Sequence, residues 1–306
     1  MKHYKMSKKP YTTKILFFGY SQLGYDAFQY LCENFNVVGA VTHHTNKEEP
    51  DLFDLVEDHA NTWGIPVFKP ELSDLKFFAE TVKNLDPDMI ISVYYRHMIP
   101  MGILNIPQLG SYNMHGSFLP YFRGCAPINW AIIKGEKTTG VSLHEMVEKP
   151  DAGGIIDQRS CCIGKNETAG ELLEKMRPLS LSILKTAIPN IIEGTQTKTF
   201  LDIKKGSYFG RRKPEDGRIN PLHQTAQEVH NLVRALQPWP QYPPAFLETK
   251  GQKLLIHQTD IGAEQPNFYI SNPIVGTLYT IQKHDSWLYC KDNSWIKICK
   301  FATQEA

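Results

Sequence analysis

From residue 14 to about residue 203 the chain alternates short β-rich runs with helical patterns, a rhythm that few folds accommodate. The runs KILFFG, NVVGAVT, IPVF, DMIISVYY, GSYNMH, GVSLHEM and GGIIDQ read as strands. Helical spacing of apolar residues falls near 23–34, 52–63, 75–84 and 126–134. Strands separated by helices require crossover connections, and these produce a mostly parallel sheet covered on both faces. A longer helical pattern over 168–193, with Leu172, Leu173, Met176, Leu179, Leu181 and Leu184 at its apolar positions, closes this first domain.

After Gly194 the composition turns polar, basic and glycine- and proline-bearing, as a connecting segment should. One helical pattern follows over 225–236, then the stiff run PWPQYPP, then the short strands AFLET, KLLIHQ, GTLYTI, WLYC and WIKICK. Close-set strands without helices between them suggest a small antiparallel barrel or sandwich. The expected class is α/β: a Rossmann-like, mostly parallel sheet in 14–203, then a small C-terminal β-barrel or OB-like domain with one leading helix in 204–306. Residues 1–13, MKHYKMSKKPYTT, read as a disordered leader. The apolar run behind them, 15–18, is much too short for a signal-peptide core or a membrane span.

With 306 residues, 42% hydrophobic and 21% charged, two globular domains with sizeable cores are expected. A net charge of +1 supplies no global field to gather nucleic acid or anionic lipid. The six cysteines show no CxxC or Cys/His ligand spacing, so reduced thiols in a cytoplasm fit best and no metal is expected. The chemistry allows a homo-oligomer without requiring one.

Several motifs are read blandly. Gly19–Gly24, GYSQLG, follows a strand and opens a helix but lacks the middle glycine of G-x-G-x-x-G and a phosphate-loop lysine, so a tight turn is the reading. His43 and His44 have no third ligand nearby, and Cys161 and Cys162 point to opposite faces of a strand. The pair Asn113 and His115 is different, because residues two apart on a strand project from one face and can converge on one atom past its end. Open α/β sheets place their chemistry at such strand ends. Asp151, in KPDAGGIID, would arrive on another connection, where a carboxylate accepting from the imidazole favours the protonated ring and fixes its tautomer. Read one residue at a time, turn caps at Asn113 and Asp151 and a satisfied loop histidine at His115 are the favoured reading.

The segment from NMHGSFLPYFRG to KPDAGGII resembles the signature region of the folate-dependent formyltransferases, with their N-x-H…D site and SLLPxYRG loop. VYYRHMIP, FGRRKPEDG, HNLVRAL and the PWP run extend the likeness over nearly the whole chain after about residue 13, most closely to the nucleotide-sugar N-formyltransferases that act on UDP-4-amino-4-deoxy-L-arabinose. The resemblance implies a formyltransferase fold and 10-formyltetrahydrofolate as co-substrate. It makes Asn113 a transition-state stabiliser, His115 the acid/base and Asp151 the carboxylate that supports the protonated His115 ring. It assigns folate contacts to His97, Met98, Ile99, Val147, Glu148, Lys149, Pro150 and Asp151. One departure stands out: Cys125 replaces the second arginine of the family's RGR, and a thiol cannot replace a planar fork of donors.

For the acceptor, Arg211 and Arg212 offer guanidinium forks suited to a pyrophosphate, with a solvated basic linker as the equal alternative; the resemblance retains Arg123 for it, and Tyr94 is a ring at a strand end that could flank sugar or pterin. The function implied is formylation of a nucleotide-linked 4-amino sugar (UDP, dTDP or GDP) for cell-envelope polysaccharide or lipid, with small-molecule partners and neither nucleic acid nor membrane. Formylation of initiator methionyl-tRNA is the second reading. The 13 Lys and Arg against 10 Asp and Glu in 201–306 argue against it, because a tRNA partner demands a strongly basic surface. A catalytically silent folate- or nucleotide-sugar-binding protein is the third.

Overall fold

The computed structural model describes residues 11–44, 55–237, 244–249, 251–263, 272–282 and 285–304. Most of the PWPQYPP run, the first ten residues of the expected leader and the start of the helix expected over 52–63 lie outside the described residues. Tyr11 and Thr13, expected in a disordered leader, are tied down. The Tyr11 ring stacks on Phe35 at 4.9 Å, Tyr11 N–H reaches Asn34 O, and Thr13 O accepts from Asn36 N.

The order begins β1 (Lys14–Gly19), α1 (Ser21–Asn34), β2 (Asn36–Val41), α2 (Leu55–Thr62), β3 (Val67–Phe68), α3 (Ala79–Leu85) and β4 (Met89–Val93). It continues with α4 (Met101–Leu104), β5 (Ser111–His115), β6 (Arg123–Gly124), α5 (Pro127–Ile133), β7 (Thr138–Glu145), β8 (Ile155–Cys162) and α6 (Ala169–Ile192). Then come β9 (Tyr208–Phe209), α7 (Ala226–Ala235), β10 (Ala245–Thr249), β11 (Gln252–Asp260), β12 (Leu278–Gln282), β13 (Asp285–Cys290) and β14 (Ser294–Gln304).

Seven strands form one sheet in the order β3-β2-β1-β4-β5-β7-β8. β1 pairs in parallel with β2 and β4, and β4 with β5, whereas β7 runs antiparallel to β5. The expected mostly parallel sheet is present, with one reversed strand. Leu16, Phe18, Val41 and Ile90 pack with Val82, Ile99, Ile103 and Leu104 in a buried cluster on this sheet. Each such side chain stabilises the fold by about 1.5–3 kcal/mol relative to exposure. The chain order reverses at β1, the point where open α/β sheets leave a crevice at the carboxyl ends of their strands.

Five more strands form an antiparallel sheet in the order β10-β11-β14-β13-β12. α7 lays Val229, Leu232, Val233 and Leu236 in one buried cluster with Leu247, Leu254, Ile256, Leu288, Ile296 and Ile298. Its start is fixed by a capping box, in which Thr225 and Glu228 each accept the other's main-chain N–H.

The compact units divide the chain at other places than composition suggests. One comprises 1–124, 140–160 and 175–208, and the other 125–139, 161–174 and 209–306. α5 belongs to the second unit, where Asn129 Nδ2 donates to Ala235 O at the end of α7 at 2.6 Å. Among the described residues no helix is long and apolar enough to cross a membrane.

Candidate active site

β5 carries Asn113 and His115 to its carboxyl end, and the register opposes them to β7, Asn113 to His144 and His115 to Ser142. Past His115 the chain turns sharply through a cis Leu119–Pro120 bond. Ser142 secures that turn: its Oγ donates to Ser117 O at 2.7 Å and accepts from Leu119 N at 3.1 Å and Gln158 Nε2 at 2.7 Å. The loop is held from the other side by Ser207, whose Oγ accepts from Phe122 N and whose carbonyl accepts from Arg123 N.

Asp151 sits in a turn with φ +51°, an uncommon conformation for a residue other than glycine. One carboxylate oxygen, Oδ2, accepts the Gly124 N–H at 2.7 Å. The other, Oδ1, lies 3.6 Å from His115 Nδ1 and 3.4 Å from His144 Nε2. Burial works to raise this carboxyl, but the His115 ring, the His144 ring and the Gly124 N–H outweigh it and hold Asp151 well below the usual carboxylate range. It is an anion set between two imidazoles.

His115 is 6% exposed, and its Nε2 donates to Phe122 O at 2.9 Å. His144 is 2% exposed, donates from Nδ1 to Glu145 O at 2.7 Å, and meets the Asn113 amide nitrogen through Nε2 at 3.3 Å. His144 is therefore a fourth member that motif spacing did not single out. The signal that could have found it is cross-strand pairing, because a histidine at the register position opposite Asn113 must share its surroundings.

The remaining expected residues are placed as follows. Arg123 is 8% exposed and donates from Nη1 to Pro150 O at 3.4 Å, so it braces the turn that carries Asp151. Val147, Glu148 and Lys149 are exposed, with Pro150 half-buried behind them. Tyr94 follows β4 with φ +62°, and burial pushes its phenol well up. Tyr95 stacks on His43 at 4.4 Å, and His97 meets the same His43 ring edge-on at 4.7 Å. His43 Nε2 accepts the Arg96 N–H, and burial, helped by the neighbouring His97 and Arg96, pushes its ring down to about 3, so it stays neutral. Ile99 is buried and Met98 is 57% exposed. Arg211 and Arg212 belong to the second unit, where Arg211 is exposed and Arg212 is buried with its guanidinium 5.5 Å from the Trp130 ring. Cys125, also in that unit, is exposed.

An amide, two imidazoles and a carboxylate gathered from β5, β7 and the turn after β7 can hold a carbonyl, stabilise charge on its oxygen and move a proton. That is the equipment of acyl transfer.

Comparison with known proteins agrees. The formyl transferase family model matches residues 24–188, more than half of the chain, and the model for the formyl transferase C-terminal domain matches 211–305. The bifunctional polymyxin resistance protein ArnA of Wigglesworthia glossinidia brevipalpis is 38% identical over 255 residues, which cover 82% of this chain and 38% of that protein. The chain thus spans well under half the length of that curated relative. The fold is similar to that of WlaRD, a sugar 3N-formyl transferase solved with dTDP and 5-N-formyl-THF, with a TM-score of 0.65, 20% identity, and 96% and 99% of the two chains covered. It is also similar to an N-formyltransferase from Helicobacter canadensis in complex with folinic acid and dTDP-3-aminofucose, with a TM-score of 0.70, 18% identity, and 94% and 100% covered.

Proposed function

We propose that this chain, which belongs to the formyl transferase family, moves the formyl group of 10-formyltetrahydrofolate onto the amine of a nucleotide-linked amino sugar, UDP-4-amino-4-deoxy-L-arabinose or a related UDP-, dTDP- or GDP-sugar. The observation that carries this reading is the convergence of Asn113, His115 and Asp151 at the end of β5. The relatives support it: one 38% identical is a polymyxin resistance protein, and similarly folded enzymes are held with folate derivatives and dTDP or a dTDP-amino sugar.

The chemistry then runs as follows. The neutral amine attacks the formyl carbon, and the carbonyl oxygen gathers negative charge in a tetrahedral intermediate. An N–H of Asn113 preplaced for that oxygen is worth about 3–4 kcal/mol. The bond from the formyl carbon to folate N10 breaks, one proton leaves the amine, and one reaches N10. His115, with Asp151 behind it, handles these protons directly or through a water. Folate is held along His97, Met98 and Ile99, after β4, and along Val147 to Asp151, between β7 and β8. Tyr94, Arg123, Arg211 and Arg212 remain the residues assigned to the acceptor, with Arg211 the exposed guanidinium among them.

The test is incubation with 10-formyltetrahydrofolate and a panel of UDP-, dTDP- and GDP-linked amino sugars. Release of tetrahydrofolate with at least one of them is expected. Turnover with none, alongside formylation of charged methionyl-tRNA, would replace this reading with the tRNA one.

A further inference from the structure

The two rings beside Asp151 are each held by a main-chain oxygen. Each gives one N–H to a main-chain oxygen, His115 through Nε2 to Phe122 and His144 through Nδ1 to Glu145. The nitrogen left over on each ring, Nδ1 of His115 and Nε2 of His144, faces the same oxygen, Asp151 Oδ1.

The Asn113 amide meets one of these nitrogens. Its Nδ2 lies 3.3 Å from His144 Nε2. An amide nitrogen donates two hydrogens and accepts none, so in this contact Nε2 of His144 accepts.

We infer that His144 is a positioning residue that orients Asn113: its Nε2 anchors one N–H of the amide, and Nδ1, hydrogen-bonded to Glu145 O, fixes the ring that does so. The anchored amide keeps its second N–H and its oxygen for a bound carbonyl and amine. The groups around the ring are Asp151 at 3.4 Å, His115 with ring centroids 6.3 Å apart, and Glu145, whose carboxylate is paired with Lys198.

The inference rests on the site described for formyl transfer, but its deciding experiment needs no acceptor. In nitrogen-15 spectra of the protein, the Asn113 side-chain amide, identified by its loss in Asn113→Asp, is compared in the parent, His144→Leu and His144→Gln. The expected result is a displaced amide resonance in His144→Leu and one near the parent's in His144→Gln, whose carbonyl accepts in place of Nε2. An Asn113 amide that does not move in His144→Leu, or that moves equally in both variants, overturns the inference. A kinetic arm uses whichever amine supports turnover. His144→Leu is expected to lower kcat at least about tenfold with folate binding intact, His144→Gln to recover most of that loss, and His144→Leu to cost nothing further in an Asn113→Ala background. Equal losses in both backgrounds overturn it as well. Absence of turnover with every amino sugar would remove the proposed substrate while leaving the spectroscopic result to stand or fall alone.

Discussion

Gly153 offers the sharpest test of how the site is built. A Cβ placed there would lie 2.1 Å from Glu145 O and 2.9 Å from Glu145 C. Both are main-chain atoms that cannot swing aside, so Gly153→Ala must separate the two segments by about 1 Å to restore van der Waals distance. The displaced carbonyl is the one that accepts His144 Nδ1–H. The displaced turn carries Asp151 two residues upstream. Overpacking of this kind costs about 1–3 kcal/mol of stability, and a displacement of about 1 Å at reacting groups costs roughly 100-fold in rate. We expect Gly153→Ala to fold with a lowered urea midpoint and to lose about two orders of magnitude in kcat. Gly210, where a Cβ would meet nothing within 4 Å, provides the control: Gly210→Ala should lie within about 0.5 kcal/mol of the parent. Parental kcat and midpoint in Gly153→Ala would refute the idea that Glu145 and the Asp151 turn are locked together.

Other expectations follow from the same geometry. Asn113→Ala should lower kcat about 100- to 1,000-fold in the formyl-transfer assay while folate still binds, since it deletes the donor for the developing oxyanion. Thr225→Ala breaks the capping box of α7 and should cost about 1 kcal/mol, read as a shift in urea midpoint. Asp151 has a carboxyl lower in the folded chain than in the unfolded one, so its contribution is fully present above the unfolded value and is lost as pH falls toward the folded one. Asp151→Asn should therefore flatten the acid limb of stability below about pH 4, and an unchanged limb would place the acid sensitivity elsewhere.

The sheet of the first unit was legible because its strands announce themselves by composition and its helices by spacing. The pattern over 168–193 became α6, Ala169–Ile192, even with Pro178 and Pro189 inside it. α4 has only four residues, too few to express a helical period. The reversed direction of β7 could not be read, because strand composition is the same in either direction. For that reason His144 went unnoticed: its importance lies in standing opposite Asn113, and register is a property of two segments. Asn113 and His115 were found because their relation is internal to one strand. The same division holds for the units. The composition change after Gly194 is a local signal, whereas the assignment of 125–139 and 161–174 to the second unit depends on partners such as Ala235, Gln237 and Arg234 far along the chain.

The chain passes between its two units five times, at 124/125, 139/140, 160/161, 174/175 and 208/209. Modules of this kind cannot be exchanged among relatives by a single splice. A recombinant joining residues 1–203 of this chain to the tail of a distant homologue would still carry α5 and the 161–174 segment, each bonded in this chain to the end of α7 and the residues after it. Swapping acceptor preference within this scaffold calls for grafting loops, or for transplanting those two inserts together with the tail.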